Sequence, residues 1–388
     1  FTAVMNAWGY EEVRTPTLEH LHLFTSAGTL SPQLLDKVYS FLDWDGWSGE
    51  RVVLRPDATI PATRVYRERM AGSIAKLYYV TNIFRFAAGD EPRELWQCGA
   101  EVVGDTWPGG DIELIAAGRS VLSRLGLKDV TIRLSHTGIL RALLDRAGFP
   151  PEDQAEQYDR LLDGDLSLMR ELEARLPELQ ASLHLLTGVN GSSAAYLNNL
   201  RAAFASLTPD LAQSLDELEH VAAAVAALRC PFEIDLTMVR DFEYYTGPVF
   251  RFVLPDGRDL GGGGRYDALV RDGATTTPAC GFALFMDRLI DVLPLDGRPV
   301  ASSVISVSPA GTGAEALGLA LAMAIELQDK GFCAELVPSR REATGRWSLV
   351  VDPHGGSRRY VMRCLPNGEE ITAATLDTLI GALGRARC

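Results

Sequence analysis

The periodicity of the apolar residues changes three times along the chain and divides it into four blocks. Residues 1 to about 139 mix strand and helix: Val52–Leu54, Leu77–Thr81 and Leu95–Val103 read as strands and Thr59–Met70 as a helix. From about 140 to 228 leucines recur at three- and four-residue spacings (Leu161, Leu162, Leu166, Leu168, Leu172, Leu176), the period of an amphipathic helix. Strands return at Phe232–Leu236 and Pro248–Leu254, then a glycine turn, then Cys280–Leu293 as strand running into helix. Residues 294–300 carry two prolines and a glycine and read as a linker. The remainder alternates: strand Val304–Val307, helix Gly313–Lys330, strands Ala334–Val337, Ser348–Val351 and Tyr360–Leu365, helix Thr372–Ala386. That order describes a small α/β domain.

Composition narrows the function classes. The 388 residues hold 37 basic and 51 acidic side chains, a net charge of −14. That balance argues against tight sequence-independent binding to nucleic acid, which needs many cationic contacts to phosphate. The excess acid concentrates in the helical block, while the last domain is neutral. The six cysteines form no CxxC pair, which argues against a disulfide framework or zinc knuckle and favours a reducing, cytoplasmic setting. No apolar run approaches the ~18 residues of a membrane span. The chain begins at Phe1 inside an amphipathic pattern, so a native N-terminal piece is expected ahead of it.

Three segments carry polar chemistry. In Leu54-Arg55-Pro56-Asp57-Ala58-Thr59 a strand ends and a helix begins; Asp57 and Thr59 suit either an ammonium ligand or an N-cap, and the cap is the simpler reading. Asn82-Ile83-Phe84-Arg85 reads as a loop before a strand on which Gln97, Gly99 and Glu101 share one face. That face is either a polar pocket floor, with Arg85 gripping a carboxylate, or a solvated sheet face. Gly261-Gly262-Gly263-Gly264-Arg265-Tyr266-Asp267 lacks the GK[ST] of a phosphate loop. Close backbone packing around a site with Tyr266 projecting into it fits better, and a plain hairpin turn is the alternative. The histidines show no metal-ligand spacing and no nucleophile–histidine signature emerges, so neither a metal nor a cofactor is expected.

Taken together and in order, these segments resemble the histidyl-tRNA synthetase family of class II folds. Ala7-Trp8-Gly9-Tyr10 through Arg14-Thr15-Pro16 is similar to motif 1, Leu54–Thr59 to the LRPE-x-T segment, and Phe84-Arg85 to the start of motif 2. Arg240–Tyr245 is similar to the R-x-x-(D/E)-Y-Y signature, Gly263–Asp267 to the GGRYD turn, and Gly281–Arg288 to motif 3. The resemblance implies an antiparallel class II sheet with helices, built from residues 1–139 and 229–297. It implies that 140–228 is an acidic helical insertion and 300–388 a reduced anticodon-binding-like domain. It also implies an L-histidine pocket: Asp57, Thr59 and Gln97 around the α-amino group, Arg85 facing the carboxylate, Glu101, Tyr245 and Tyr266 around the imidazole, with Arg240 alongside.

Departures from the synthetase pattern fall on the ATP half of the site. The F-R-x-E glutamate is Ala87, the motif 2 loop is short and poor in basic residues, and Phe285 replaces the glycine of G-F-A-x-G. The stretch between Val337 and Ser348 is too short for the second helix of an anticodon-binding domain. These features are similar to those of the ATP phosphoribosyltransferase regulatory subunits. Those paralogues imply a non-catalytic chain that assembles with a short-form catalytic phosphoribosyltransferase, self-associates through motif 1, responds to histidine and does not bind tRNA. An active, ATP-dependent histidyl-tRNA synthetase is the alternative.

Overall fold

The computed structural model describes residues 1–26, 37–44, 49–87, 89, 91–104, 109–162, 165–177, 183, 194–204, 209–236, 238, 245–272, 275–293, 304–311, 314–330, 332–337, 347–354, 356, 360–364, 368–375 and 377–379. The chain divides into two units, Phe1–Leu293 and Pro294–Cys388.

The first unit opens with α1 (Thr2–Ala7), β1 (Glu11–Glu12), β2 (Leu18–His20) and α2 (Leu21–Ser26). Strands β3 (Ser40–Trp44) and β4 (Gly49–Leu54) join β2 in a small sheet of order β2-β4-β3. Then come α3 (Thr59–Arg69), β5 (Ala75–Phe84), β6 (Glu94–Val103), α4 (Gly109–Arg124) and β7 (Thr131–His136). Helices α5 (Thr137–Arg146), α6 (Pro151–Leu162), α7 (Leu166–Arg175), α8 (Ala194–Phe204) and α9 (Pro209–Ala227) follow, with no strand between them among the described residues. The unit closes with β8 (Phe232–Ile234), β9 (Pro248–Val253), β10 (Asp259–Arg265), the short pair β11 (Arg271–Asp272) and β12 (Thr275–Thr276), β13 (Ala279–Phe285) and α10 (Met286–Val292).

Eight of these strands form the main sheet, in the order β1-β5-β6-β13-β10-β9-β7-β8. Its four central strands, β6, β13, β10 and β9, pair antiparallel. The two outermost pairs, β1 with β5 and β7 with β8, are parallel. A parallel pair needs a long crossover, and helices α5–α9 lie in the one between β7 and β8. Their leucines do not form a separate core. Leu140, Leu143, Leu168, Leu172, Leu215 and Leu218 share one cluster with Ile132, Leu134 and Phe250 of the sheet. Helix α5 is capped by His136, whose Nδ1 accepts from Gly138 N at 3.1 Å.

Period-two alternation sorts the central sheet into an apolar face and a polar one. On β6, Cys98, Ala100 and Val102 enter the core with Leu114 and Ile115 of α4. Gln97, Gly99 and Glu101 take the opposite face. Two expectations fail here. Asn82–Phe84 is not a loop: it pairs with Trp96–Glu94 and ends β5, because cross-strand hydrogen bonds override the local turn preference of asparagine. The glycine run is not a turn: Gly261–Gly264 lie in β10, paired on both sides with β9 and β13. Glycine suits a strand there because a side chain at Gly263 or Gly262 would overlap the neighbouring backbone.

The second unit holds β14 (Val304–Pro309), α11 (Ala314–Asp329), β15 (Cys333–Leu336), β16 (Trp347–Val351), β17 (Tyr360–Cys364) and β18 (Glu370–Ala373). The sheet order is β15-β14-β16-β17-β18. Ile305, Val307, Leu349, Val351 and Met362 pack under Ala320, Met323 and Leu327 of α11. The helix expected over Thr372–Ala386 starts too early in the sequence pattern: Glu370–Ala373 pairs with Tyr360–Arg363 as an edge strand. Residues 380–388, the linker 294–300 and the segment 338–346 lie outside the described residues. Among the described residues no helix is long and apolar enough to cross a membrane.

Candidate functional site

The polar face of the main sheet is laid out by register. In one cross-strand row stand Leu77, Glu101, Gly281 and Gly264; in the next stand Tyr79, Gly99, Ala283 and Gly262; in a third stand Thr81, Gln97 and Phe285. Glycine and alanine therefore pave the middle of this face, and the functional side chains lie across them. A Cβ at Gly281 would overlap the Glu101 carboxylate, and one at Gly99 would overlap the Tyr79 ring and hydroxyl. The absence of these side chains makes the space the polar groups occupy.

Glu101 is the centre of the arrangement and is 1% exposed. Its Oε1 accepts from the Tyr79 hydroxyl at 3.1 Å and its Oε2 accepts from the Tyr266 hydroxyl. Thr59 Oγ1 lies 3.4 Å from the Tyr79 hydroxyl and extends the chain toward α3. Burial pushes the Glu101 carboxyl up to about 8, with the charge of Asp57 acting the same way. The hydroxyls of Tyr266, Thr59 and Tyr79 act against that rise, because each favours the ionised carboxylate. Raised to about 8, the carboxyl is mostly protonated near neutral pH, and a ligand that brings an N–H donor would draw out its ionised, accepting form.

The other expected residues surround this centre unevenly. Gln97 is buried, and among the described residues its Oε1 has no hydrogen-bond partner. A buried orphan acceptor costs about 1–3 kcal/mol, and an ammonium donor would relieve it. Asp57 accepts from Ile60 N at 3.0 Å and so satisfies a first-turn amide of α3, although the N-cap position itself is Ala58; its charge is still felt at Glu101 and Tyr79. Arg85 donates Nε to Pro56 O at 2.8 Å, which ties it to the same loop as Asp57. Tyr245 lies beside Gly264, whose Cβ would come within 2.9 Å of its ring. At ~4.8 Å per strand, that position is two strands from Glu101 in the same row. Arg240 lies outside the described residues.

Two residues that sequence reading missed shape the site. Tyr79 is one; its place opposite Gly99 is visible only once β5 and β6 are in register. Arg55 is the other. Buried at 3% exposure, it donates Nε to Asn82 O at 2.7 Å and Nη1 to Thr15 O at 2.7 Å and Pro16 O at 2.9 Å. Its Nη2 donates to Asn82 Oδ1 at 2.7 Å and also to Thr81 Oγ1. This clamp fixes the loop that presents Asp57 and Thr59.

The far end of the face is closed differently. Phe285 stands beside Gln97, and the Arg288 guanidinium stacks over its ring at 4.3 Å. Arg288 Nη1 also donates to Asp259 O at 3.0 Å and Asp259 Oδ2 at 3.1 Å. The arginine is thus held by protein partners. On the reverse face, Arg265 pairs with the buried Asp111 of α4 and, at 3.3 Å, with Glu217 of α9, which also meets His136 Nε2 at 3.1 Å. Among the described residues no group of His, Cys, Asp and Glu could hold a metal ion.

Comparison with known proteins gives the family. The histidyl-tRNA synthetase family profile matches residues 1–289. An ATP phosphoribosyltransferase regulatory subunit of Dehalococcoides mccartyi is 44% identical over 349 residues, covering 89% of this chain and 84% of that one. This chain belongs to the ATP phosphoribosyltransferase regulatory subunit family. A histidine–tRNA ligase of Synechococcus is more distant, at 29% identity over 96% of this chain and 91% of its own. Among solved structures, an ATP phosphoribosyltransferase regulatory subunit/histidyl-tRNA synthetase from Bacillus halodurans superposes with a TM-score of 0.68 at 25% identity, covering 88% of this chain and 87% of that one. The fold is therefore that of the class II histidyl-tRNA synthetase-like proteins.

Proposed function

We propose that this chain is a histidine-sensing regulatory subunit that assembles with a short-form ATP phosphoribosyltransferase and controls the first step of histidine biosynthesis. The observation that carries the reading is the contrast between the two ends of the polar face. At one end the Glu101 carboxyl, with its two phenols and the neighbouring orphan acceptor of Gln97, suits an imidazole and an ammonium. Glu101 accepts a ring N–H; Gln97 and Thr59 accept from the α-amino group, with Asp57 supplying charge; Arg85 faces the carboxylate; Tyr245 and Tyr266 complete the enclosure, and Arg240, outside the described residues, is assigned by the family resemblance alone.

In the segment after Arg85, Ala87 has no carboxylate to offer an adenine amino group. Phe285 brings a ring to the polar face, and Arg288 is engaged by Phe285 and Asp259. Synthetase chemistry is therefore lost in this reading, and tRNA is not a partner. A chain without chemistry acts by contact, in a symmetric assembly whose two-fold would use the motif 1 region around Trp8–Pro16.

Two assays test it. Calorimetry should register L-histidine binding to the isolated chain, and Glu101→Gln should weaken it by the ~1.5–3 kcal/mol of a charge-assisted hydrogen bond. Histidine-dependent pyrophosphate exchange should stay at background; exchange well above it would restore the synthetase reading.

A further inference from the structure

Beneath the Glu101 site lies a hydrogen-bond relay. Tyr79 lies in β5, one row along from Glu101, and its side chain is buried. Its hydroxyl donates to Glu101 Oε1 at 3.1 Å, so the hydrogen shared with Thr59 at 3.4 Å comes from Thr59 Oγ1. The order is Thr59 to Tyr79 to Glu101, and each donor strengthens the next. Two glycines on different strands make this possible: Gly99 clears the Tyr79 phenol and Gly281 clears the Glu101 carboxylate. With Tyr266 on Oε2, both carboxylate oxygens are pinned from opposite sides.

We propose that Tyr79 is a positioning residue of the histidine site, fixing the Glu101 carboxylate through Oε1 so that it meets an incoming ring N–H in one orientation. The inference rests on the histidine reading given above and gives Tyr79 a specific role that the reading leaves unassigned. A carboxylate held only by Tyr266 would rotate about its Cγ–Cδ bond, and a ligand would bear the cost of ordering it. Thr59 then has two tasks: its hydrogen goes to Tyr79, and its lone pairs stay free for the α-amino group.

The relay also sets when Glu101 ionises. The titratable groups that act on this carboxyl are Asp57 before α3, Tyr79 of β5, Tyr266 after β10, and more weakly Cys280 of β13 and Tyr10. Burial raises it, and the Tyr79 hydroxyl acts to lower it. Removing that hydroxyl while keeping the ring must therefore move the ionisation to higher pH.

The test is Tyr79→Phe in the full chain, with two readouts. Histidine affinity by calorimetry at pH 7.5 should fall about tenfold, the loss expected for one charge-assisted hydrogen bond. Independently of any ligand, the infrared band of the protonated Glu101 carboxyl, identified by its absence in Glu101→Gln, should titrate at higher pH than in the wild type. Both changes together support the positioning role. Unchanged affinity with an unchanged titration overturns it, as does a weaker affinity with no shift in the titration, which would reduce Tyr79 to shape alone. If the wild type binds no histidine, the functional reading fails, yet the infrared titration still decides whether Tyr79 governs Glu101. Should Tyr79→Phe not fold, 3-fluorotyrosine at position 79, a stronger donor of the same shape, should move the titration the opposite way; no movement would overturn the proposal.

Discussion

Replacing Glu101 by glutamine should make the protein more stable at high pH while weakening its ligand site. The unfolded carboxyl ionises near its ordinary value of 4.5, whereas in the fold burial raises it to about 8. Below 4.5 both states hold the proton. Between 4.5 and about 8 the folded state holds it and the unfolded state does not, so stability falls as pH rises through that window. Above about 8 both are ionised and the loss levels off. Each pH unit is worth about 1.4 kcal/mol, so the whole window amounts to about 5 kcal/mol. Glutamine fills nearly the same volume, accepts from one phenol and does not titrate. The assay is urea denaturation of both proteins at pH 5, 6, 7, 8 and 9, following the transition of the first unit. Every other group is common to both, so the difference in unfolding free energy isolates Glu101. It should grow in favour of Glu101→Gln by roughly 1.4 kcal/mol per pH unit up to pH 8 and then stay flat. A difference that does not change with pH would refute the reasoning, because the carboxylate would then not be ionising in a buried site.

Arg55→Ala should cost about 3 kcal/mol or more, since it strands several buried carbonyl acceptors at once, each worth about 1–3 kcal/mol; a denaturant midpoint close to that of the wild type would show the clamp to be dispensable. Arg55→Lys should recover only part of this, as an ammonium cannot reach Thr15, Pro16 and Asn82 together. Arg265→Ala leaves the buried Asp111 without its cationic partner, while Glu217 keeps His136, and should lower stability by about 3–5 kcal/mol, read by thermal and urea unfolding.

The polar face was partly legible in the sequence, because Gln97, Gly99 and Glu101 follow one another at the period of a strand and Tyr266 closes a recognisable motif. What stayed hidden depends on which strands lie side by side. Tyr79 is an ordinary strand tyrosine until β5 is set against β6, and Gly281 is an ordinary strand glycine until Glu101 is placed opposite it. Arg55 stood out in no local pattern, because its bonds all go to backbone and side chains of segments distant in sequence. The misread loop at Asn82 and the misread helix at Thr372 share a cause. Both have local patterns at odds with the strand, and both are settled by pairing with a neighbour. The bond from Ile60 N to Asp57, in contrast, is a local interaction, and its kind was read from local sequence even though the N-cap position falls on Ala58.

The central claim is that this chain confers histidine control on a partner enzyme. It is tested most directly by measuring phosphoribosyl-ATP formation by a short-form ATP phosphoribosyltransferase, with and without this chain, across a histidine titration. Adding the chain should change the partner's activity and make it inhibitable by histidine, with a coupling of about 1–3 kcal/mol between the two sites. Tyr266→Ala should leave the complex assembled and active but move inhibition to higher histidine concentration. Identical activity and identical inhibition with and without the chain would contradict the account.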